Sequence, residues 1–372
     1  MTANSTTDKY YDDISNYPEQ KVYIMLWSVI PPILISFGTV GNILSIIVLT
    51  RRSIRSSTTA LYLTVLAFSD LVVLYTGLLR QWLNFLWHED VRSISELSCK
   101  IHLWFVYISL DFSAWILIAV TLERVRSSWF PHNAKSLCSR KRATAFMITI
   151  FIFLLILNGH LLFGFGDVVS TEEGQTTVKK CKIKSNAYKD FFSYVWPWID
   201  LCIFCLIPFV ILFTGNVCIL IKVIQSAKRT RQVAPMGGLQ QHRTSNKQSS
   251  LTAMLFTLNV VFLLCTSPIS VYNIGYSQWA QGAATHDYAV LNLWWAICSL
   301  LMYINNSLNF LLYCLSGSRF RQEVKNLFCW KGQAKISPTK THRSQISHLY
   351  ATEECHVQNV TKLEPLTGAF HL

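Results

Sequence analysis

Charge is what this sequence has least of. Asp, Glu, Lys and Arg make up 14% of its 372 residues, whereas a soluble domain of ordinary composition carries roughly 25%. A water-soluble enzyme is therefore not expected. Glycine and proline, at 15 and 10 residues, are too sparse for a collagen-like or disordered chain, and no repeat period is visible. The first 20 residues are polar and acidic rather than an apolar signal core, so the first apolar run is expected to insert uncleaved. His-Glu-x-x-His, Gly-x-Ser-x-Gly and phosphate-binding glycine loops do not occur, which leaves an intramembrane enzyme without a motif.

What is present is apolar: 51% of the chain, gathered into seven charge-poor stretches. They cover roughly 22–50, 58–79 (only Asp70), 101–122 (only Asp111), 143–166, 191–221 (only Asp200), 251–285 and 288–315. A bilayer core about 30 Å thick needs about 20 apolar residues at a 1.5 Å rise. Lipid offers the backbone no hydrogen-bond partner, and the period-two alternation of barrel strands is missing, so each stretch should be a helix. The expected fold is an all-α membrane protein, a seven-transmembrane helix bundle.

The connections set the orientation, because short cytoplasmic loops are enriched in Lys and Arg. Segments 50–57, 124–142 and 222–250 are basic and nearly free of acids, whereas 1–21, 84–98 and 167–190 are acidic or mixed. The N-terminal segment 1–21 is thus expected outside the plasma membrane, followed by the bundle over 22–315. An amphipathic cytoplasmic eighth helix over 316–330 and a disordered cytoplasmic tail over 331–372 complete the chain. The net charge of +13 is accounted for by this topology, and nucleic acid is not expected as a partner.

Only Cys99, just outside the third span, and Cys181 fall on the outer side. Oxidation is permitted on that side alone, so the two are expected to form a disulfide. Asn4, in Asn4-Ser5-Thr6, is the outer-side glycosylation candidate. Cys329 follows the basic stretch Arg319–Phe328 and is a candidate for S-acylation at the inner leaflet, a bare thiol being the alternative.

Polar residues inside spans are costly and discriminate among seven-helix architectures. The first span carries Gly41-Asn42, the second Leu66-Ala67-Phe68-Ser69-Asp70, and the third ends Glu123-Arg124-Val125. The fifth holds Pro208, the sixth reads Phe262-x-x-Cys265-Thr266-Ser267-Pro268, and the seventh Asn305-Asn306-Ser307-Leu308-Asn309-Phe310-Leu311-Leu312-Tyr313. In that order and spacing, residues about 22–330 resemble a rhodopsin-like (class A) G-protein-coupled receptor.

The resemblance implies a receptor, not an enzyme. It casts Glu123 and Arg124 as the pair released toward a heterotrimeric G protein, with Phe262, Pro268, Asn309 and Tyr313 as further switch residues. It places a sodium pocket at Asp70, Ser113, Asn305, Asn306 and Asn309, sodium being the one cofactor-like ligand expected. A purely structural amide–carboxylate network through Asn42 is the alternative there. Several positions depart from the family pattern: Thr266 stands where a Trp is usual, Phe310 where a Pro is, Asn216 where a Tyr is, and Val125 replaces the commoner Tyr. The activation switch therefore does not carry over residue by residue. No acid stands near the start of the sixth helix, so no salt bridge from there to Arg124 is expected.

The resemblance also bears on ligand class. Val106 occupies the aminergic Asp position, and the seventh span has no Schiff-base Lys, which disfavours monoamines and retinal. Arg80, Trp82, Tyr107, Asp200, Tyr272, Asn273, Tyr276, Trp295 and Tyr303 stand at the outer ends of the spans as ligand-binding candidates. A charge-bearing, aromatic-lined cavity resembles the neuropeptide-receptor branch, and the Glu123–Lys141 region is similar to invertebrate receptors for FMRFamide-like peptides. The expected agonist is a short basic peptide with an amidated C-terminus. Asp200 is the expected counter-ion and Asp111 a packing acid; Arg80 is free to pair with either acid in the empty receptor or to take a ligand carboxylate, the alternative being that Asp200 and Arg80 only satisfy each other. The expected partners are this peptide, a G protein, the lipid bilayer, and arrestin and receptor kinases at the Ser- and Thr-bearing tail. The competing reading is a transporter or channel, but transporters commonly duplicate their halves and no internal repeat is visible here. Within the receptor reading, the alternative is a non-peptide small-molecule ligand.

Overall fold

The computed structural model describes residues 14–130, 139–172, 175–233 and 239–328. Among them, seven helices are long and apolar enough to cross a membrane. They are α1 (Pro18–Leu49), α2 (Thr58–Trp87), α3 (Glu96–Trp129), α4 (Arg140–Gly164), α5 (Asn186–Ser226), α6 (Leu239–Trp279) and α7 (Thr285–Ser316). Asn4, Cys329 and the tail from 331 lie outside the described residues.

The helices run past the charge-free windows because a helix can carry its polar ends into the interface. α3 begins at a cap in which Ser95 Oγ accepts from the Ser98 amide at 3.0 Å, with Glu96 in the first turn. The basic segment 222–250, expected as a loop, is largely helical: the backbone continues from α5 to Val233 and resumes at Leu239. The sixth span ends at Trp279 rather than near 285. A turn at Ala280–Gly282 reverses the chain there, with Gly282 at φ +71°, a conformation that a residue without a Cβ adopts without strain.

Close packing of α1 on α7 rests on small residues. A Cβ at Gly38 would lie 2.9 Å from Ser307 Oγ and 2.6 Å from Leu74 Cδ1, so the two backbones approach only because none is there. α3 runs through the core, burying Ala114, Ile116, Leu117, Ile118, Ala119 and Val120. Its indoles tie it outward: Trp104 Nε1 donates to the Leu155 carbonyl at 3.1 Å and Trp115 Nε1 to that of Ile203 at 3.2 Å. Three π turns interrupt the helices, Leu74–Leu79 in α2 and Phe191–Val195 and Leu201–Leu206 in α5. The last directly precedes Pro208, where the sequence predicts a simple proline kink.

Among the described residues the bundle is helical apart from one hairpin. Segment 167–190, expected as a loop, pairs β1 (Phe165–Glu172) antiparallel with β2 (Gln175–Ile183), with an irregularity between Gly166 and Val168. Cys181 in β2 is disulfide-bonded to Cys99 in α3, Cα to Cα 5.5 Å. Asp167 supports that junction, accepting from the Cys181 amide at 3.3 Å and from Lys180 Nζ at 2.7 Å. The Lys180 hydrogen bond, with that of the Cys181 amide, keeps the Asp167 carboxyl below its ordinary pKa. After α7, Gly317 turns the chain into α8 (Ser318–Phe328). Phe320 of α8 packs edge-on against Tyr313, and Glu323 pairs with Arg51 at 3.1 Å.

Candidate functional site

At the hairpin end of the bundle a cavity of about 410 Å³ opens between α3, α5, α6 and α7. Six of the nine ligand-binding candidates line it: Tyr107, Asp200, Tyr272, Asn273, Tyr276 and Trp295. Their rings are fixed by neighbours. Tyr107 meets Trp196 edge-on with centroids 6.1 Å apart, Trp295 stacks on Trp27 at 5.3 Å, and Tyr272 Oη donates to the Leu291 carbonyl at 3.1 Å. Among the described residues, Asp200 is the sole carboxylate of the lining, which contains no Lys, Arg or His. An aromatic cavity with one acid is suited to a cationic group, held by charge and by ring faces.

Arg80, Trp82 and Tyr303 do not line this cavity. Arg80, expected to pair with Asp200 or Asp111, instead donates to Asp90 at 2.9 Å, in the segment between α2 and α3. Arg92 joins the same carboxylate. Partial burial works to raise the Asp90 pKa, but the Arg92 hydrogen bonds and the charges of Arg80 and Arg92 outweigh it and hold the group at about 2. A nearby acid, Asp90 at the cap of the Val91–Ser93 turn, was a shorter path to charge balance than one across the cavity. Asp111 is buried and accepts from Asn158 Nδ2 at 2.9 Å, joining α3 to α4. Asn292 and Ser277 also line the cavity and were missed. Each was legible as a helix neighbour, Asn292 three residues before Trp295 and Ser277 four after Asn273.

Mid-bundle, Asp70 is fully buried and gathers three donors. Ser113 Oγ and Asn306 Nδ2 reach Oδ1 at 3.2 and 3.1 Å, and Asn309 Nδ2 reaches Oδ2 at 2.6 Å. Asn42 Nδ2 in turn donates to the Asn306 carbonyl at 3.0 Å, and Ser69 bonds Ser113 at 3.0 Å. The Asn305 side chain, buried nearby in sequence, is not among the Asp70 donors. The geometry is that of an amide–carboxylate network. Its carboxylate and the Ser69 and Ser113 hydroxyls also converge as oxygen donors, a set that fits a hard cation.

At the opposite end, Glu123 and Arg124 are each held by α2. Thr58 Oγ1 donates to Glu123 Oε1, and Arg124 Nη2 donates to Thr59 Oγ1. Tyr313 and Phe262 are buried below, and Phe262 meets Phe204 edge-on at 6.1 Å. Pro268 sits inside α6, where Thr266 Oγ1 turns back to the Phe262 carbonyl at 2.7 Å.

Residues 41–313 match the family described as the 7 transmembrane receptor (rhodopsin family). The chain belongs to that family. This receptor is therefore a multi-pass membrane protein and not an enzyme. It is 26% identical over 328 residues to the FMRFamide receptor of Drosophila melanogaster, a match that covers 84% of this chain and 55% of that one. The neurotensin receptor type 1 of Mus musculus is 25% identical, covering 95% of this receptor and 87% of its own length. The neuromedin-U receptor 2 of Rattus norvegicus is 24% identical, covering 97% and 90%.

Proposed function

We propose that this receptor is activated by a short peptide carrying a basic side chain and a neutral, amidated C-terminus, and that it then drives nucleotide exchange on a heterotrimeric G protein. One observation carries the ligand reading: among the described residues, Asp200 is the single charged group lining an aromatic cavity of about 410 Å³. A peptide cation finds its counter-ion there, whereas a free ligand carboxylate finds no cation in the lining. The relatives named for FMRFamide, neurotensin and neuromedin-U support a peptide as the ligand class.

The basic connections support an orientation with the hairpin and N-terminus outside and the Arg124 end in the cytosol. In that orientation Arg124 faces the G protein, and arrestin and receptor kinases meet the tail beyond 331. Asn4 would then carry a glycan, and Cys329 an acyl chain. Sodium, bound through Asp70 and Ser113, is proposed to favour the inactive arrangement.

The test is a panel of amidated basic peptides applied to membranes holding the receptor and a supplied G protein, with nucleotide exchange as the readout. Peptide-dependent exchange is expected. Exchange driven only by non-peptide ligands would overturn the peptide reading, and transport of solute without exchange would overturn the receptor mechanism.

A further inference from the structure

Between α2, α3 and α4, at the Arg124 end, lies a second cavity of about 310 Å³. Its charged lining is Glu123 and Arg126 from the last turns of α3 and Arg142 from the first turn of α4, where Ser139 caps the helix. Neither guanidinium has a hydrogen-bond or ion-pair partner among the described residues. Glu123 uses one carboxylate oxygen to accept from Thr58, while the other, Oε2, is buried and has no protein partner. A buried carboxylate oxygen without a donor is costly, and the two arginines of the same lining offer nothing to each other. Both arginines are exposed, so water meets them, and the cavity presents two accessible cations together with one buried acceptor.

The surroundings limit what that party is. Leu122 and Phe146 line the same cavity and are 43% and 41% exposed, apolar surface that a bilayer would cover on spanning helices. A ligand reaching the arginines from this side brings hydrocarbon with it. Basic pockets between transmembrane helices favour anionic headgroups, but an anion with no donor would be repelled by Glu123. The headgroup that mirrors the pattern has two anionic groups and one cationic donor.

We propose that this cavity binds phosphatidylserine. Its phosphate and carboxylate take Arg126 and Arg142, its ammonium donates to Glu123 Oε2, and its acyl chains lie along Leu122 and Phe146. The site is separate from the peptide cavity and its occupancy does not depend on the ligand reading.

The experiment places the full-length receptor in phosphatidylcholine nanodiscs carrying equal small fractions of phosphatidylserine and phosphatidylglycerol. The two have the same net charge, and retained lipid is counted by native mass spectrometry. Phosphatidylserine should be retained about tenfold over phosphatidylglycerol, as expected for one added hydrogen bond between charged groups. Glu123→Gln should erase that preference while leaving both lipids bound. The Arg126→Gln/Arg142→Gln pair should weaken both by about 25-fold, from about fivefold per basic residue, whereas the equally neutralising Arg52→Gln/Lys228→Gln pair should not. Equal retention of the two lipids by the unaltered receptor would overturn the proposal and needs no variant to fold. So would competition by soluble glycerophosphoserine at equal concentration, which would mark a free-anion site, or equal losses in the two neutralised pairs, which would mark diffuse surface attraction.

Discussion

Arg80 Nη1 lies 2.9 Å from Asp90 Oδ2, so the cation at the hairpin end of α2 is committed to the connection leading into α3 and not to the ligand cavity. Arg80 is 8% exposed. Removing its acid leaves a nearly buried charge without its main partner, which is worse than removing the pair. Asp90→Asn should lower stability in detergent by about 2 kcal/mol, and Arg80→Met/Asp90→Asn should recover part of that loss. Because the folded pKa of Asp90 is held at about 2, below an unfolded value of about 3.9, its contribution is complete above the unfolded value. It fades as pH falls through the folded one. Thermal melts should therefore show a constant gap between the native receptor and Asp90→Asn from pH 7 to 5, and a shrinking one below about pH 4.

Asp200→Lys should leave expression intact but depress the potency of a basic peptide by about a hundredfold or more, since a like charge then faces the ligand cation. An analogue with the base removed should lose much less. Equal losses in concentration–response curves would reject a direct contact.

Raising sodium should weaken agonist affinity if the ion favours the inactive arrangement, a coupling of about 1–3 kcal/mol being ordinary. Asp70→Asn should remove that dependence in radioligand competition. A sodium response unchanged in the variant would leave Asp70 as the hub of a structural network only.

Arg124→Ala should abolish nucleotide exchange while retaining agonist binding, because the cavity lies at the other end of α3. Thr59→Val removes the hydroxyl that holds Arg124 and should raise basal exchange several-fold, read without agonist. Lowered basal exchange in Thr59→Val would show that the threonine supports the active arrangement instead.

The seven spans were legible because lipid admits so few solutions for a backbone. The motif residues around Asp70 were legible because an intramembrane carboxylate needs donors, and asparagines spaced three and four residues apart on α7 supply them. What the sequence hid were choices among partners. Arg80 had three acids within plausible reach, and only the path of the chain through 88–95 decides for Asp90. The hairpin was hidden because β2 is polar and exposed over Thr177–Lys180, without a buried face to impose an alternating pattern. Helical extension of 222–250 was hidden because the positive charge that marks a connection says nothing against a helix.

Each π turn amounts to one residue inserted into an α-helix, which advances the angular phase of everything beyond it by about 100°. In α5 the turn at Leu201–Leu206 stands between Asp200 and Pro208, so the two halves of this helix are indexed independently. Loss of a single codon there would restore a regular turn and swing Asp200 and Trp196 away from the cavity, leaving the Arg124 end unmoved. A lineage carrying this fold could thus re-aim its recognition residues by deletion rather than substitution, keeping its coupling surface while changing what it hears.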